Sequence, residues 1–195
     1  MKPQIFVLVH GINDTSRKFK AMQSAFEDKG YRCIVPSLTP KNGSNGLEFL
    51  ALQLKDIIDA KTDSTDAKLN LVGFSMGGLV SRYYLQELEG YRKIDQFFSI
   101  SAPHHGSFWA NLGMNKGVQQ MRPGSDFLHK LEQSGDSLHH MRCYSYWTPF
   151  DLMILPTTSS LWNRAENIKI NSFCHPLMVR NGQVIADILA KVEKN

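Results

Sequence analysis

Residues 73–77 form the segment of the sequence with the clearest chemical meaning. Their order is Gly-Phe-Ser-Met-Gly, with an apolar stretch at 69–72 before them and a helix-forming stretch at 79–85 after them. A serine at a sharp turn between strand and helix presents its hydroxyl, and the start of the helix offers backbone N–H groups to a negative oxygen. Glycines on both sides indicate an approach too close for a Cβ. We therefore predict Ser75 as the nucleophile of an acyl-transfer reaction.

The elements that must hold this turn alternate between strands and helices along the chain. Apolar runs rich in β-formers predict strands at residues 5–9, 31–35, 69–73, 97–100, 143–147 and 168–173. Helical patterns are predicted at 16–28, where Ser16 could cap the first turn, and at 47–58, 76–89 and 126–132. A C-terminal helix carries one apolar face: Val184, Ile185, Ile188, Leu189 and Val192. This alternation predicts an α/β fold, a parallel sheet of about six strands with helices on both faces.

Four motifs carry a resemblance to a known family. They are residues 9–12 (Val-His-Gly-Ile), 73–78 (Gly-Phe-Ser-Met-Gly-Gly), 101–107 (Ser-Ala-Pro-His-His-Gly-Ser) and 123–128 (Pro-Gly-Ser-Asp-Phe-Leu). With them the chain resembles the compact bacterial lipases and esterases of the α/β-hydrolase superfamily over most of its length. The resemblance implies the minimal α/β-hydrolase fold and cleavage of carboxylic esters through an acyl-enzyme. A length of 195 residues suits one core, so we predict a single domain, 1–195.

The negative oxygen of an acyl-transfer intermediate needs at least two hydrogen-bond donors. One is the backbone N–H of the residue after the nucleophile, here Met76. The resemblance implies that Ile12, in the loop after the first strand, supplies the second. It also implies that His10 holds this loop by hydrogen bonding and is not a catalytic base.

A serine nucleophile needs a histidine base, and the histidine needs a carboxylate that fixes its tautomer. In this fold the acid and then the base follow the serine along the chain. Asp151 comes just after the predicted strand 143–147, and His175 just after the predicted strand 168–173. Both fall at the carboxyl ends of strands, where α/β folds bind ligands. The sequence therefore predicts Ser75, Asp151 and His175 as a catalytic triad.

The remaining histidines and acids fit this order less well. The residues that precede the predicted acid are His129, His139, His140, Asp95, Asp126 and Asp136. Glu166 lies between Asp151 and His175, just before the last predicted strand. The adjacent His104 and His105 could contact substrate or stabilise their loop, and no carboxylate or cysteine stands beside them at the spacing of a metal site. We predict neither a metal nor an organic cofactor.

Residues 103–141 break the alternation, with several glycines, Pro123 and one short predicted helix. Loops of this length are usually functional. We predict a rim or lid-like insertion, in which His104, Phe108 and Trp109 contact the substrate. The apolar residues of this stretch would either receive an acyl chain or pack over the sheet; they are Phe108, Trp109, Leu112, Met114 and Met121.

Composition excludes several other classes of protein. The 22 basic and 18 acidic residues are scattered, which argues against nucleic-acid binding. Three cysteines without CxxC spacing (Cys33, Cys143 and Cys174) fit free thiols in a reducing compartment. The apolar run 5–9 is too short for a signal peptide, and no stretch is long enough to span a bilayer. We therefore predict a cytoplasmic location.

Three functions fit these residues. The first is hydrolysis of a small-molecule or lipid ester, the second acyl transfer with the same triad, and the third a non-catalytic scaffold that binds a partner. The scaffold is disfavoured, since residues are present for every triad and oxyanion position. The first two remain open because water and an acceptor alcohol would meet the same residues. The sequence names no partner protein.

Overall fold

The computed structural model describes residues 4–62 and 67–194. The described residues form one sheet of six strands: β1 (Gln4–Val9), β2 (Arg32–Ile34), β3 (Lys68–Phe74), β4 (Ile94–Ile100), β5 (Arg142–Trp147) and β6 (Glu166–Lys169). Their order across the sheet is β2-β1-β3-β4-β5-β6, and all neighbours are parallel. The predicted strand count and direction are confirmed.

Helices cover both faces of the sheet, as predicted. They are α1 (Lys20–Glu27), α2 (Leu47–Thr62), α3 (Met76–Glu87), α4 (Lys116–Gln120), α5 (Asp126–Gln133) and α6 (Gly182–Glu193). Successive side chains of β1 point to opposite faces, so Val7 belongs to one buried cluster, with α2 and α3, while Leu8 belongs to the other, with α1 and α6. Strands buried on both faces explain the continuous apolar runs of the sequence.

The carboxyl ends of the strands lie at one edge of the sheet because all six strands are parallel. The chain leaves β1 into the loop that holds His10 and Ile12, and it leaves β3 directly into Ser75. Asp151 follows β5, and His175 follows β6 at the start of a 3₁₀ turn, His175–Arg180. The fold therefore gathers residues that are far apart in the sequence at this edge.

The last strand differs from its predicted bounds of 168–173. It begins at Glu166 and ends at Lys169, although the Ile170 N–H still donates to the Trp147 carbonyl over 2.8 Å. The chain then turns away, and the Thr148 hydroxyl donates to the Ser172 carbonyl over 2.7 Å. This side-chain bond replaces the sheet ladder and directs the chain toward His175.

Two local predictions about helices are wrong. The first helical segment starts as a 3₁₀ turn, Ser16–Phe19, without a side-chain cap, and α1 begins only at Lys20. The insertion 103–141 contains α4 besides the predicted α5. Helix α4 has five residues and includes Gly117, so its sequence carries no helical periodicity. Its Asn115 side chain caps it by accepting from the Val118 N–H over 2.9 Å.

Within the described residues, no helix has the length and apolar character required to cross a membrane.

Candidate active site

The turn that carries Ser75 is strained. Ser75 has φ of 54° and ψ of −125°, a conformation that residues with a side chain rarely adopt. Such outliers persist only where the surrounding structure enforces them, and they cluster at functional sites. Here the Ser75 N–H donates to the Ile100 carbonyl, and the Ser75 carbonyl accepts from the Gly78 N–H, both over 2.9 Å. The backbone of Ser75 thus belongs neither to β3 nor to α3 but forms the turn between them.

Two glycines allow the strand and the helix to approach at this turn. A Cβ on Gly73 would lie 2.7 Å from the Cα of Gly78. A Cβ on Gly77 would lie 2.5 Å from the His10 carbonyl oxygen and closer still to that of Val9. Both approaches are against backbone, which cannot move aside as a side chain can. The predicted reason for the glycine spacing is confirmed.

We expect Gly77→Ala to lower the free energy of unfolding by about 3 kcal/mol or more, because the new methyl group would force α3 away from the loop after β1. Gly182→Ala is the matched control, since Gly182 lies at the start of α6 with open space around its Cβ position. The control should be stabilised by up to about 1 kcal/mol. Urea unfolding of both variants measures the difference, and equal effects would contradict this account of the turn.

The candidate oxyanion donors lie on either side of Ser75. Met76 is the first residue of α3, and the N–H groups of a first helical turn have no acceptor within the helix. The loop after β1 passes directly against the serine, since a Cβ on Gly11 would lie 3.1 Å from the Ser75 Cβ. Ile12 follows in this loop and shares with Ser75 the walls of the two cavities described below.

His10 holds this loop with both ring nitrogens. Its Nδ1 lies 2.8 Å from the Gly11 carbonyl oxygen, and its Nε2 lies 2.9 Å from the Leu38 backbone nitrogen. A carbonyl can only accept and an N–H can only donate, so Nδ1 carries the proton and Nε2 accepts. The ring is 1% exposed. With both nitrogens bound to backbone, His10 has no nitrogen available for proton transfer.

The structure brings Asp151 and His175 together. The Nδ1 atom of His175 lies 2.7 Å from Oδ2 of Asp151, and both side chains are buried. The other carboxylate oxygen, Oδ1, accepts from the N–H groups of Met153 and Ile154, each over 2.9 Å. The His175 ring packs on Phe74, the residue before Ser75, with 4.7 Å between ring centroids. The carboxylate is thus fixed from both sides, and it orients the ring with Nδ1 as donor and Nε2 as acceptor.

Two cavities meet at Ser75. The larger, about 350 Å³, has walls that are mostly apolar, and most of them come from the insertion 103–141, including Trp109, Leu112 and Met121. The smaller, about 200 Å³, is lined by Ser75, His175 and a pair of charged residues, Asp14 and Lys18. We call them the apolar chamber and the charged chamber. Ile12, Ser75 and Met153 line both.

Asp14, Lys18 and Met153 were missed by the sequence reasoning. The available signal was the spacing of four residues between an acid and a base directly after the loop 9–12. By itself such a spacing is typical of a solvated helical face.

His104 lies away from both chambers, which corrects its prediction as a substrate contact. Its Nε2 lies 2.9 Å from the Ser99 hydroxyl, and its Nδ1 accepts from the Arg82 guanidinium over 3.3 Å. The ring stacks on Trp162 at 4.9 Å and is 2% exposed. Burial, together with the nearby charge of Arg82, holds the pKa of His104 well below its usual range. A neutral, fully packed histidine here joins α3 to the loop after β4.

The two other predicted contacts occupy the rim of the apolar chamber. Trp109 lines the chamber, and its indole N–H donates to the Leu152 carbonyl over 2.8 Å. Phe108 is 61% exposed and belongs to the same 3₁₀ turn, Phe108–Leu112, without lining the chamber.

The competing acids and histidines lie elsewhere. Glu166 is on β6 and pairs with Lys191 over 3.1 Å. Asp95 pairs with Arg142 at the amino ends of β4 and β5, and Asp136 pairs with Arg164. The remaining candidates are exposed or at a helix start and line neither chamber: His105, His129, His139, His140 and Asp126. Among the described residues, no three His, Cys, Asp or Glu side chains come together as a metal site.

Comparison with known proteins identifies the family. A family model described as palmitoyl protein thioesterase matches residues 5–149. The chain belongs to the palmitoyl protein thioesterase family. The match includes Ile12, Ser75 and Met76 and ends just before Asp151. No match was found among curated proteins.

Solved structures of similar fold include lipases and other lipolytic enzymes. The mature lipase BlEst2 of Bacillus licheniformis has a TM-score of 0.75 at 17% identity, covering 98% of this chain and 91% of its own. Lipase B of Aspergillus fumigatus has a TM-score of 0.77 at 16% identity, covering 94% of this chain and 51% of its own. A structure from a study of the metagenome-derived enzymes LipS and LipT has a TM-score of 0.71 at 15% identity, covering 100% of this chain and 96% of its own. These likenesses confirm the α/β-hydrolase fold. Together with the family, they indicate a hydrolase that acts on esters or thioesters.

Proposed function

We propose that this chain hydrolyses esters or thioesters of apolar acyl chains through an acyl-enzyme on Ser75. The observation that supports this most is the buried Asp151–His175 pair, whose histidine lines a cavity together with a strained serine. An orienting acid, a histidine base and a serine on a strained turn are the parts that serine nucleophiles require.

In the acylation step, Nε2 of His175 takes the proton of the Ser75 hydroxyl while Oγ attacks the acyl carbon. Asp151 stabilises the imidazolium that forms, since Nδ1 already donates to its carboxylate. The N–H groups of Met76 and Ile12 hold the negative oxygen, and the partial positive charge at the start of α3 adds to this effect. The tetrahedral intermediate then collapses: the bond from the acyl carbon to the leaving oxygen or sulfur breaks, and that atom takes the proton from Nε2 of the imidazolium.

In the deacylation step, a water molecule takes the place of the leaving group. His175 removes a proton from this water as its oxygen attacks the acyl carbon, and the same donors hold the second oxyanion. Collapse of the intermediate breaks the bond to Oγ, and the proton on Nε2 returns to Ser75. The products are a free carboxylic acid and the alcohol or thiol released in the first step.

The apolar chamber is the proposed acyl site. Ser75 forms part of its wall. Most of its other lining side chains are apolar residues of the rim 103–141, such as Trp109, Leu112 and Met121. Other large apolar side chains are exposed on the segments beside the two chambers: Phe108, Phe150, Leu152, Phe173 and Leu177. The rim of the single domain is thus proposed as an acyl-binding wall. An apolar acyl group also agrees with the description of the family, palmitoyl protein thioesterase, since palmitoyl is a long apolar acyl chain.

The test is hydrolysis of two substrate series with acyl chains from acetyl to palmitoyl, one of p-nitrophenyl esters and one of thioesters. Each added methylene should raise kcat/KM by about fourfold until the chamber is filled, because burial of a methylene contributes about 0.8 kcal/mol. Leu112→Asp should reduce turnover of long chains more than that of acetate. Met114→Asp is the matched control, since Met114 is 88% exposed on the same rim and does not line the chamber.

A profile that is flat with chain length would contradict the acyl role of the apolar chamber. A folded wild type that cleaves no member of either series would contradict hydrolysis itself and favour an acyltransferase or a binding scaffold.

A further inference from the structure

The charged chamber must receive the leaving group if the proposed function holds, and the inference below rests on that function. His175 lines this chamber and not the apolar one. The leaving oxygen or sulfur takes its proton from Nε2 of His175, so it departs on the side where this ring lies. With the acyl chain in the apolar chamber, the charged chamber of about 200 Å³ remains for a small leaving group.

Lys18 is the inner of the two charges in this chamber. Its side chain is 15% exposed, against 29% for Asp14. Its ammonium lies 5.2 Å from the centroid of the Phe74 ring, the same ring on which His175 packs. The lysine ammonium and the proposed base therefore both contact the Phe74 ring, and Phe74 is the residue directly before Ser75.

The ammonium of Lys18 keeps its hydrogen-bond donors available. Its ion pair with Asp14 has an N–O distance of 3.8 Å, which is too long for a hydrogen bond. The Phe74 ring attracts the positive charge through its face but offers no oxygen or nitrogen acceptor to the ammonium. Among the described residues, none accepts a hydrogen bond from this ammonium. A poorly exposed cation with free donors, facing a cavity, is suited to bind an anionic group.

The backbone fixes the position of Lys18. It lies in the 3₁₀ turn Ser16–Phe19, where its N–H donates to the Thr15 carbonyl over 3.0 Å. Phe19, the next residue, is fully buried in the core on the α1 side of the sheet. The backbone of the turn is thus anchored to the core, and Lys18 extends from it to line the charged chamber.

We propose that Lys18 selects substrates whose leaving group carries an anion, a carboxylate or a phosphate, within a few bonds of the scissile ester or thioester. Asp14 opposes this selection by partly neutralising the ammonium. Because of Asp14, we expect a moderate preference for anionic leaving groups and not a tightly binding anion site.

The test compares octanoyl thioesters of three small leaving thiols: 3-mercaptopropionate is anionic, 3-mercaptopropanol is neutral and of similar length, and thiocholine is cationic. In wild type, kcat/KM for the anionic thioester should exceed that for the neutral one by about tenfold, as expected for one charge-assisted hydrogen bond. The ratio should fall to about one in Lys18→Met and persist in Lys18→Arg. It should rise in Asp14→Asn. Added salt should lower it in wild type.

Lys20→Met is the matched control, because Lys20 is exposed two residues further along and lines neither chamber. Its ratio should equal that of wild type. Hydrolysis of the neutral thioester by wild type tests the proposed function separately. If that thioester is cleaved but the anionic one has no advantage, the inference is wrong and the function stands. A preference for thiocholine that is lost in Asp14→Asn would also overturn the inference, because it would assign recognition to the carboxylate.

Discussion

Replacement of Ser75 by alanine is expected to reduce kcat by about 10⁶-fold, the scale of loss when a serine nucleophile is removed from an intact triad. The acyl-enzyme cannot form without Oγ, and the donors and the base are left to act on water alone. The measurement is steady-state hydrolysis of the neutral octanoyl thioester, that of 3-mercaptopropanol, at saturating substrate. Circular dichroism and urea unfolding verify the fold. Alanine removes one oxygen from a side chain that is 7% exposed, so the fold should persist.

Ser81→Ala is the matched control for this variant. Ser81 lies on α3, the same helix that Ser75 precedes, and its buried hydroxyl has no hydrogen-bond partner among the described residues. Its loss should change kcat by less than about twofold, in line with the small effects of substitutions that break no interaction. Residual activity of Ser75→Ala above about 1% of wild type would contradict a nucleophilic role.

Asp151→Asn should have the second largest effect, a fall in kcat of about 10⁴-fold, through the tautomer of His175. The amide oxygen of the new side chain would continue to accept from the Met153 and Ile154 N–H groups, which leaves its NH₂ facing Nδ1 of His175. Nδ1 must then accept, so the proton moves to Nε2, and Nε2 can no longer take the proton of Ser75. The same kinetic assay measures this loss with the fold kept intact.

Two further variants separate this mechanism from a general loss of charge. Glu166→Gln removes the other acid between Asp151 and His175, a residue 60% exposed on β6, and should leave kcat unchanged. The double variant Ser75→Ala/Asp151→Asn should be no slower than Ser75→Ala alone, since residues that act as one unit are not additive. Full activity of Asp151→Asn would show that another group orients His175.

The parts of the fold that were predicted correctly depend on local patterns. Continuous apolar runs such as residues 5–9 mark strands covered on both faces. The glycines around Ser75 mark a sharp strand-to-helix turn, within which Gly73 approaches Gly78. The order of acid and base along the chain then predicted Asp151 and His175 as partners. In the structure His175 Nδ1 lies 2.7 Å from Asp151 Oδ2.

The parts that were not predicted depend on tertiary contacts. The end of β6 is set by the Thr148 hydroxyl, which is 24 residues away from its acceptor Ser172. His104 looks like a site residue because it follows a strand, but Arg82 and Trp162 enclose it. In the sequence Lys18 resembles an ordinary surface lysine, and only the structure shows its ammonium over the Phe74 ring. No periodicity of the sequence records these contacts.

The measurement that tests the central claim most directly is labelling with an alkyl fluorophosphonate, which phosphonylates an activated serine hydroxyl and expels fluoride. Intact mass spectrometry should show one adduct per chain, and peptide mapping should assign it to Ser75. Ser75→Ala should remain unlabelled, and His175→Ala should be labelled far more slowly because its serine lacks a base. A single adduct at Ser75 that depends on His175 is the result expected of this site. An adduct on another residue, or a folded wild type that stays unlabelled, would contradict Ser75 as the nucleophile.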